Sequence, residues 1–337
     1  MVTLLAKRAL LREIGHNADW APVYYGNWAV RYVRAEHDEA LRFAEEMVER
    51  AELMADDEAL LVAPRLLGTS LTMMGRSGEA LRNLERALQL YDPARHRTLA
   101  GLFGQEPGVA ALCYKSLCLG LRGAVDEARR TAETAVALAR QSEHPLTIAY
   151  TLGHTNVLWL VIRDMPKAAA TLDENLVYSD TNGIKAWQTF SLGWRVVLES
   201  VAKRHEAALA AAERARPLLA TAGSSVFLTF ILGGELASLV ALGRHAAGEA
   251  LLRTIRQQIE VSGERWYEAD AYRLEGGLRL AQADPAAAER SYGIAIEVAL
   301  RQEAKLLELR ASRDLARLWA EQGERQRALD LLAPVYD

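Results

Sequence analysis

The chain of 337 residues has little of what disulfide-rich, metal-binding or membrane-spanning proteins need. Its two cysteines, Cys113 and Cys118, fit neither a disulfide framework nor a Cys-x-x-Cys zinc pair. The first residues lack the regions of a signal peptide, and no apolar run reaches the roughly 18 residues that cross a bilayer. The net charge of -4 gives no broad reason to bind nucleic acid or an anionic membrane. We therefore expect a cytoplasmic protein with buried free thiols and neither nucleic acid nor membrane as a partner.

Proline is also scarce, while alanine, leucine, glutamate and arginine dominate, which is a helical composition. A phrase of the form Gly-x-x-x-Glu-Ala, followed by apolar residues at helical spacing, recurs along the chain and is clearest at residues 75–88. Its small residue serves as an anchor for alignment, and successive anchors are 40, 48, 40, 39, 41, 40 and 40 residues apart. The eight anchors are Ala40, Ala80, Ala128, Ala168, Ala207, Gly248, Ala288 and Ala328.

Each repeat contains a turn between two helices. A glycine stands five residues before the anchor in four copies, where it can take the left-handed conformation that ends a helix. An amphipathic segment precedes each turn and another follows it, so the unit is helix A, tight turn, helix B. The pattern predicts an all-α fold, a tetratricopeptide-like α-solenoid wound as a right-handed superhelix. Its period of about 40 exceeds the usual period of about 34.

The predicted organisation is a single array over residues 1–337, with an unpaired leading helix at 1–14 and about eight repeats from 20–337. The one long spacing places an insertion at residues 92–108, which could serve as a binding loop or as a plain spacer. Solenoids need polar caps, and neither end has one. We therefore expect a fragment of a longer protein, or self-association through the uncapped ends.

The last third of the chain contains the segments GERWYEADAYRLEG (263–276), RQEAKLLELRA (301–311) and LLAPVY (331–336). With the repeats, these segments resemble the C-terminal tetratricopeptide region of bacterial AAA-type or STAND-type signalling ATPases, which are often fused to class III adenylate or guanylate cyclase domains. The resemblance covers most of residues 60–337. It implies a sensor or partner-binding arm in signal transduction, whose partner could be the parent ATPase domain.

The sequence contains no motif for catalysis within the chain. It lacks Gly-x-x-x-x-Gly-Lys-Ser/Thr, His-Glu-x-x-His, a Gly-x-Ser-x-Gly elbow and a dinucleotide-binding glycine motif. The carboxylates alternate with lysine and arginine at helical spacing, as on solvated helix surfaces. We therefore expect no enzyme activity, no cofactor and no metal, and any ATPase or cyclase activity would lie outside this chain.

Tetratricopeptide arrays usually bind along the concave face made by the A helices. In the last two repeats, the residues expected on that face include Asp270 and four arginines: Arg273, Arg310, Arg313 and Arg317. Guanidinium groups suit an acidic peptide or a phosphorylated ligand, although internal pairing with nearby carboxylates is the alternative. The other expected groove residues are mostly apolar or aromatic: Tyr25, Tyr32, Leu192, Val196 and Phe230. Closer packing of a tightly wound superhelix would also explain the apolar set.

Two aromatic groups are open to either a pocket or a core interpretation. His154 and Asn156 lie near Trp159, and Trp187 and Trp194 fall on one helical face. The repeat pattern favours core packing for both groups.

The sequence thus predicts a non-catalytic interaction module that binds a peptide or protein partner in its concave groove. The alternative is a small-molecule sensor arm whose ligand changes the shape of the superhelix. A pocket of a few hundred Å3 closed by the 92–108 loop would favour the sensor, and an open trough would favour peptide binding.

Overall fold

The computed structural model describes residues 20–336, so the leading helix expected at 1–14 lies outside the described residues. Within them, sixteen long helices and a short helical insertion follow one another without a β-strand. The long helices form eight antiparallel pairs, numbered here as pairs 1 to 8. The labels α5 and α6 belong to the short helices of the insertion, described below. Their bounds are α1 (Trp20–Val33) and α2 (His37–Met54); α3 (Asp57–Met73) and α4 (Ser77–Leu90); α7 (Pro107–Leu121) and α8 (Val125–Ser142); α9 (Pro145–Ile162) and α10 (Met165–Thr181); α11 (Lys185–Val201) and α12 (His205–Ala222); α13 (Leu228–Ala241) and α14 (His245–Ser262); α15 (Glu268–Ala281) and α16 (Pro285–Arg301); α17 (Lys305–Glu321) and α18 (Arg325–Tyr336). The fold is an all-α solenoid of the tetratricopeptide type.

A residue with positive φ ends the first helix of every pair. Four of these residues are the glycines that the sequence pattern predicts, and the other four are not glycine. They are Ala35, Gly75, Gly123, Arg163, Lys203, Gly243, Ala283 and Gly323. The following amide bonds back into the helix, as where the Arg76 amide donates to the Leu71 carbonyl at 2.9 Å. This bond satisfies a terminal carbonyl and reverses the chain.

The anchor of the fifth repeat is Ala208, and its assignment to Ala207 was wrong by one residue. Ala208 is 0% exposed, whereas Ala207 lies on the surface. The left-handed residue Lys203 sets this register, because it precedes Ala208 by the same interval that separates Gly75 from Ala80. The anchors are therefore 40 residues apart throughout, except across the insertion.

The superhelix is closed in the sense that its successive turns contact each other. Pair 6 contacts pair 1, and pair 7 contacts pair 2. The amides of Ser225 and Val226 both donate to the Val33 carbonyl, at 2.9 and 3.3 Å. Forty residues further on, the amides of Arg265 and Trp266 donate to the Met73 carbonyl, at 2.8 and 3.1 Å. Val33 and Met73 are the last residues of α1 and α3, whose carbonyls lack partners within the helix. One superhelical turn therefore takes five helix pairs, and the next turn caps the helix ends of the first.

The insertion between pairs 2 and 3 is folded. It forms α5 (Pro93–His96), a 3-10 turn (Arg97–Leu99) and α6 (Ala100–Phe103). Phe103 is 2% exposed and packs edge-on against the Tyr25 ring, with centroids 5.2 Å apart. Gln105 then exchanges hydrogen bonds of 3.0 and 3.1 Å with the Tyr25 hydroxyl. The insertion is thus fixed to the inner face of α1.

No helix within residues 20–336 combines the length and the apolar character that crossing a bilayer requires.

Candidate functional site

The predicted arginine groove is largely an internal ion-pair network. Arg273 bonds Asp270 at 2.5 Å and Asp314 at 2.9 Å, and only 13% of its side chain is exposed. Arg313 bonds Asp314 at 2.7 Å and is half-buried. Arg317 lies on the surface. The geometry favours the internal-pairing alternative for Arg273 and leaves Arg313 and Arg317 accessible.

Arg310 has a structural role between the two superhelical turns. It is buried, lies 3.8 Å from Asp270 and donates to the Val161 carbonyl near the end of α9. Burial lowers the pKa of Arg310 to about 10. Burial alone would raise the pKa of Asp270, but Arg273 and Arg310 outweigh it and hold this pKa well below its usual range. A cation at a helix C-terminus also interacts favourably with the helix dipole.

The apolar groove residues divide into a buried group and a pocket group. Val196 is 0% exposed and Leu192 is partly buried, and their assignment to the groove was wrong because it followed from the Ala207 anchor; with Ala208 as the anchor, each lies one residue before a groove-facing position. Phe230 is 3% exposed and lines the recess that contains Arg310. Tyr25 and Tyr32 instead line a cavity of about 260 Å3 on the inner side of the first turn. We call this cavity the axial pocket.

Aromatic side chains form most of the wall of the axial pocket. Eight of its seventeen lining residues are Phe, Trp or Tyr, against 7% of the whole chain. They come from α1 (Tyr25, Trp28, Tyr32), α9 (Tyr150), α11 (Trp187, Phe190, Trp194) and the loop after α12 (Phe227). The rings of Trp28 and Tyr32 stack at 4.9 Å, and those of Phe190 and Trp194 stack at 5.7 Å. Such faces suit a flat apolar ligand.

A hydrogen-bonded chain fixes one side of the axial pocket. The Tyr32 and Tyr114 hydroxyls are hydrogen-bonded to each other, and the Tyr114 hydroxyl lies 2.9 Å from Nε2 of His154. Nδ1 of His154 lies 2.9 Å from the Tyr150 carbonyl. Nδ1 therefore carries the proton, and Nε2 accepts from Tyr114. Burial lowers the pKa of His154 to about 3, so this ring is neutral at physiological pH.

Among the described residues that line the axial pocket, Arg65 alone carries a formal charge. Its side chain is 1% exposed, and no carboxylate of the described residues lies within 4 Å of it. Nη2 donates to the Tyr150 hydroxyl at 3.3 Å, and the guanidinium lies 5.3 Å from the Trp28 ring centre. Nε and Nη1 have no acceptor. A buried cation without a counter-charge is costly, which makes Arg65 a candidate functional residue.

Two further features of the wall support it as a candidate site. The Nε1 donor of Trp194 is buried and has no acceptor. Phe227 has a φ of 62°, a conformation that is costly for a bulky side chain. Leu146 and Ala186 are exposed lining residues and mark the mouth of the pocket.

Two segments extend the wall of the axial pocket beyond the A helices. Gly104 and Gln105 bring the insertion to one side of it. Val226 and Phe227 bring the second superhelical turn to the other side, next to the bond between the Val226 amide and the Val33 carbonyl. The axial pocket is thus bordered by the insertion but stays open at its mouth, so it is intermediate between a closed pocket and an open trough.

Two other recesses lie near the axial pocket. One of about 420 Å3 is lined mainly by small aliphatic residues, and its Arg216 is paired with Glu235 at 2.7 Å. It is larger, but the buried side chain without a partner in its wall is the neutral Ser224 hydroxyl, and its wall contains none of the chain's aromatic side chains. The other, a polar recess of about 220 Å3, contains Arg163, Lys203, Arg273 and Arg310 together with Asp270.

Sequence reasoning placed Trp187, Trp194 and His154 in the core and missed Arg65. Asn156 and Trp159 are core residues, with the Asn156 amide donating to the Ala168 carbonyl at 2.7 Å. Arg65 stands 40 residues after Tyr25, at the same groove-facing position of the next repeat. An arginine there, within an apolar helix, was the available signal.

No group of three or more His, Cys, Asp or Glu side chains suited to a metal ion occurs within the described residues. No family model matches the chain, and neither does any curated protein. Solved structures do match it, among them the crystal structure of a tetratricopeptide repeat protein from Parabacteroides merdae. The sequences are 16% identical, the match covers 81% of this chain and 98% of that chain, and the TM-score is 0.43. A likeness this distant carries no argument about function, and the fold rests on the helix pairs themselves.

Proposed function

We propose that the chain is a non-catalytic regulatory module that binds a small organic ligand in the axial pocket. The observation that carries this proposal is the composite wall: helices of the first superhelical turn, the insertion and the loop of the next turn meet around one aromatic cavity. Its volume of about 260 Å3 lies just below the usual range of small-molecule sites, so it suits a small ligand.

Ligand binding at this place would favour the closed superhelix. Val33 belongs to the first turn and Val226 to the second, and both line the pocket. A ligand that contacts both turns binds the closed state better than any state in which they separate, so it shifts the population toward closure.

The test uses the tryptophans as reporters, with indole as a neutral probe. Three of the seven tryptophans line the axial pocket, namely Trp28, Trp187 and Trp194. In protein labelled with 5-fluorotryptophan, indole should shift these three 19F resonances and leave the other four in place. Single Trp→Phe variants assign the resonances.

Blocking the mouth provides the control. Ala186→Phe places a ring at the exposed edge of the pocket and should abolish the three shifts, whereas Ala207→Phe on the outer surface should preserve them. Equal shifts in both variants, or shifts spread over all seven tryptophans, would contradict binding in the axial pocket.

A second candidate function is binding of an acidic peptide at the polar recess. The specific observation is that Arg163 and Lys203 are exposed on the turns that border this recess, beside the buried Arg310. A basic rim of this kind attracts carboxylates. A fluorescent hexaglutamate peptide should lose binding in Arg163→Glu/Lys203→Glu and keep it in Arg42→Glu, whose side chain lies on the surface of α2. Unchanged binding in the double variant would exclude the recess.

In the context of a longer signalling ATPase, the module would report ligand occupancy to a catalytic domain elsewhere in the protein. We also propose a cytoplasmic location, since both cysteines are free and buried, as in a reducing compartment. ATP hydrolysis by this chain alone, measured by phosphate release, should be absent. Hydrolysis that persists after exhaustive purification would refute the non-catalytic assignment.

A further inference from the structure

The wall of the axial pocket is chemically asymmetric, since two of its residues carry buried hydrogen-bond donors that have no acceptor. Nε and Nη1 of Arg65 and Nε1 of Trp194 are buried N–H donors without partners. Each buried unpaired donor costs free energy that an acceptor in the pocket would recover. A ligand group with several lone pairs could therefore accept hydrogen bonds on the polar side of the cavity.

The charge of the pocket points to an anion. Arg65 is positive, the neighbouring His154 is neutral, and the other lining residues within 20–336 have no side chain that is charged at neutral pH. The hydroxyls of Tyr25, Tyr32 and Tyr114 lie near enough to interact electrostatically with the guanidinium, but these phenols are neutral and do not balance its charge. A buried guanidinium gains most from a carboxylate, which accepts two parallel N–H bonds.

The present partner of Arg65 is weak enough to be exchanged. The bond from Nη2 to the Tyr150 hydroxyl is 3.3 Å long, slightly longer than the usual range for such bonds. Tyr150 is only partly buried, so its hydroxyl can give way to an entering group. The aromatic rings across the cavity would then hold an apolar body that carries this group.

We infer that the ligand of the axial pocket is a small organic acid, with its carboxylate bound by Arg65 and its flat apolar part packed against the aromatic wall. This inference rests on the proposed function, because it specifies the ligand of the same pocket. An organic monoanion fits better than a polyanion, since Arg65 is the one cation among the described residues of the wall.

The experiment compares three probes of nearly equal shape: 3-phenylpropanoate, 3-phenylpropanamide and 3-phenylpropylamine. They are titrated by calorimetry and by the 19F signals of the three pocket tryptophans. The carboxylate should bind at least roughly tenfold more tightly than the amide, as expected for charge-assisted hydrogen bonds, and the amine should bind most weakly. If no probe shifts the pocket tryptophans, small-molecule binding itself fails. If the amide or the amine binds as tightly as the carboxylate, the pocket binds ligands but the acid assignment is overturned.

Variants at Arg65 locate the effect. Arg65→Met should bring the affinity for the carboxylate down to that for the amide, while affinity for the amide persists and shows that the pocket is intact. Arg65→Lys should keep part of the preference, because it keeps the charge but not the planar fork. Arg34→Met removes an equal charge from an exposed position directly after α1. It should leave the preference for the carboxylate over the amide unchanged. Equal loss in Arg34→Met and Arg65→Met would contradict direct recognition by Arg65.

Discussion

Glu264 should make the stability of this protein depend on pH near neutrality. Its carboxyl group is 0% exposed in the loop before α15, where one oxygen accepts from the Thr229 hydroxyl and from Trp266 Nε1 at 3.1 Å. The other oxygen has no partner. Burial raises the pKa of Glu264 to about 7, although the hydrogen bonds from Thr229 and Trp266 favour the charged form.

The direction of the effect follows from proton binding in the two states. Below pH 4.5 the carboxyl is protonated in both the folded and the unfolded chain, so it adds no pH dependence. As the pH rises from 4.5 to 7, the unfolded chain releases the proton while the folded chain keeps it, and the free energy of unfolding falls. Above pH 7 the decrease in the free energy of unfolding is complete. It amounts to about 3 kcal/mol for a pKa shift of this size.

Glu264→Gln removes the titration and keeps an oxygen that can accept both hydrogen bonds. Guanidinium unfolding should show the variant more stable than the parent by about 3 kcal/mol at pH 8, and the difference should shrink toward zero near pH 4.5. Glu297→Gln, at a surface position, should show no such trend. A difference for Glu264→Gln that does not change with pH would refute the reasoning.

Three further predictions concern packing, charge and thiol reactivity. In α15, a methyl group at Gly276 would overlap the Tyr292 ring of the next helix, while Gly277 has open space. Gly276→Ala should therefore lower the midpoint of denaturant unfolding. Gly277→Ala should raise the free energy of unfolding by about 0.5–1 kcal/mol. Asp270→Asn should cost about 3–5 kcal/mol at pH 7 in urea unfolding, because two buried guanidinium groups lose their shared carboxylate; a smaller loss than that of a surface Asp→Asn variant would contradict the pairing. Burial raises the pKa of the Cys113 and Cys118 thiols to about 12 and about 11, so neither should react with Ellman's reagent at pH 8 until the chain unfolds.

The local unit was predictable from the sequence, because each repeat needs a small anchor and a left-handed turn residue. The register of the fifth repeat was not, since Ala207 and Ala208 belong to an alanine-rich run in which neighbouring positions look alike. Only the backbone conformation of Lys203 distinguishes them. With Ala208 as the anchor, Phe190 takes the groove-facing position that Phe230 holds one repeat later. Phe190 lines the axial pocket, so the one-residue error concealed part of the site.

Contacts between superhelical turns could not be read from the repeat pattern. They depend on the small rotation between successive pairs, which accumulates over five pairs before pair 6 meets pair 1. Arg310 illustrates the consequence. On an isolated helix pair its position faces an open groove, but in the closed superhelix it is buried against the Val161 carbonyl. The long-range geometry therefore decides whether a groove residue binds a partner or holds the array together.

Closure of the superhelix and occupancy of the axial pocket depend on the same residues. The Val226 amide bonds the Val33 carbonyl, and both residues line the cavity. A ligand present at a hundred times its dissociation constant stabilises the closed state by about 2.7 kcal/mol. This stabilisation is comparable to the net contribution of the two hydrogen bonds that the Val33 carbonyl accepts, at about 1 kcal/mol each. Ligand binding can therefore offset the loss of this contact, and by linkage any partner that pulls the turns apart must weaken ligand binding by the same factor.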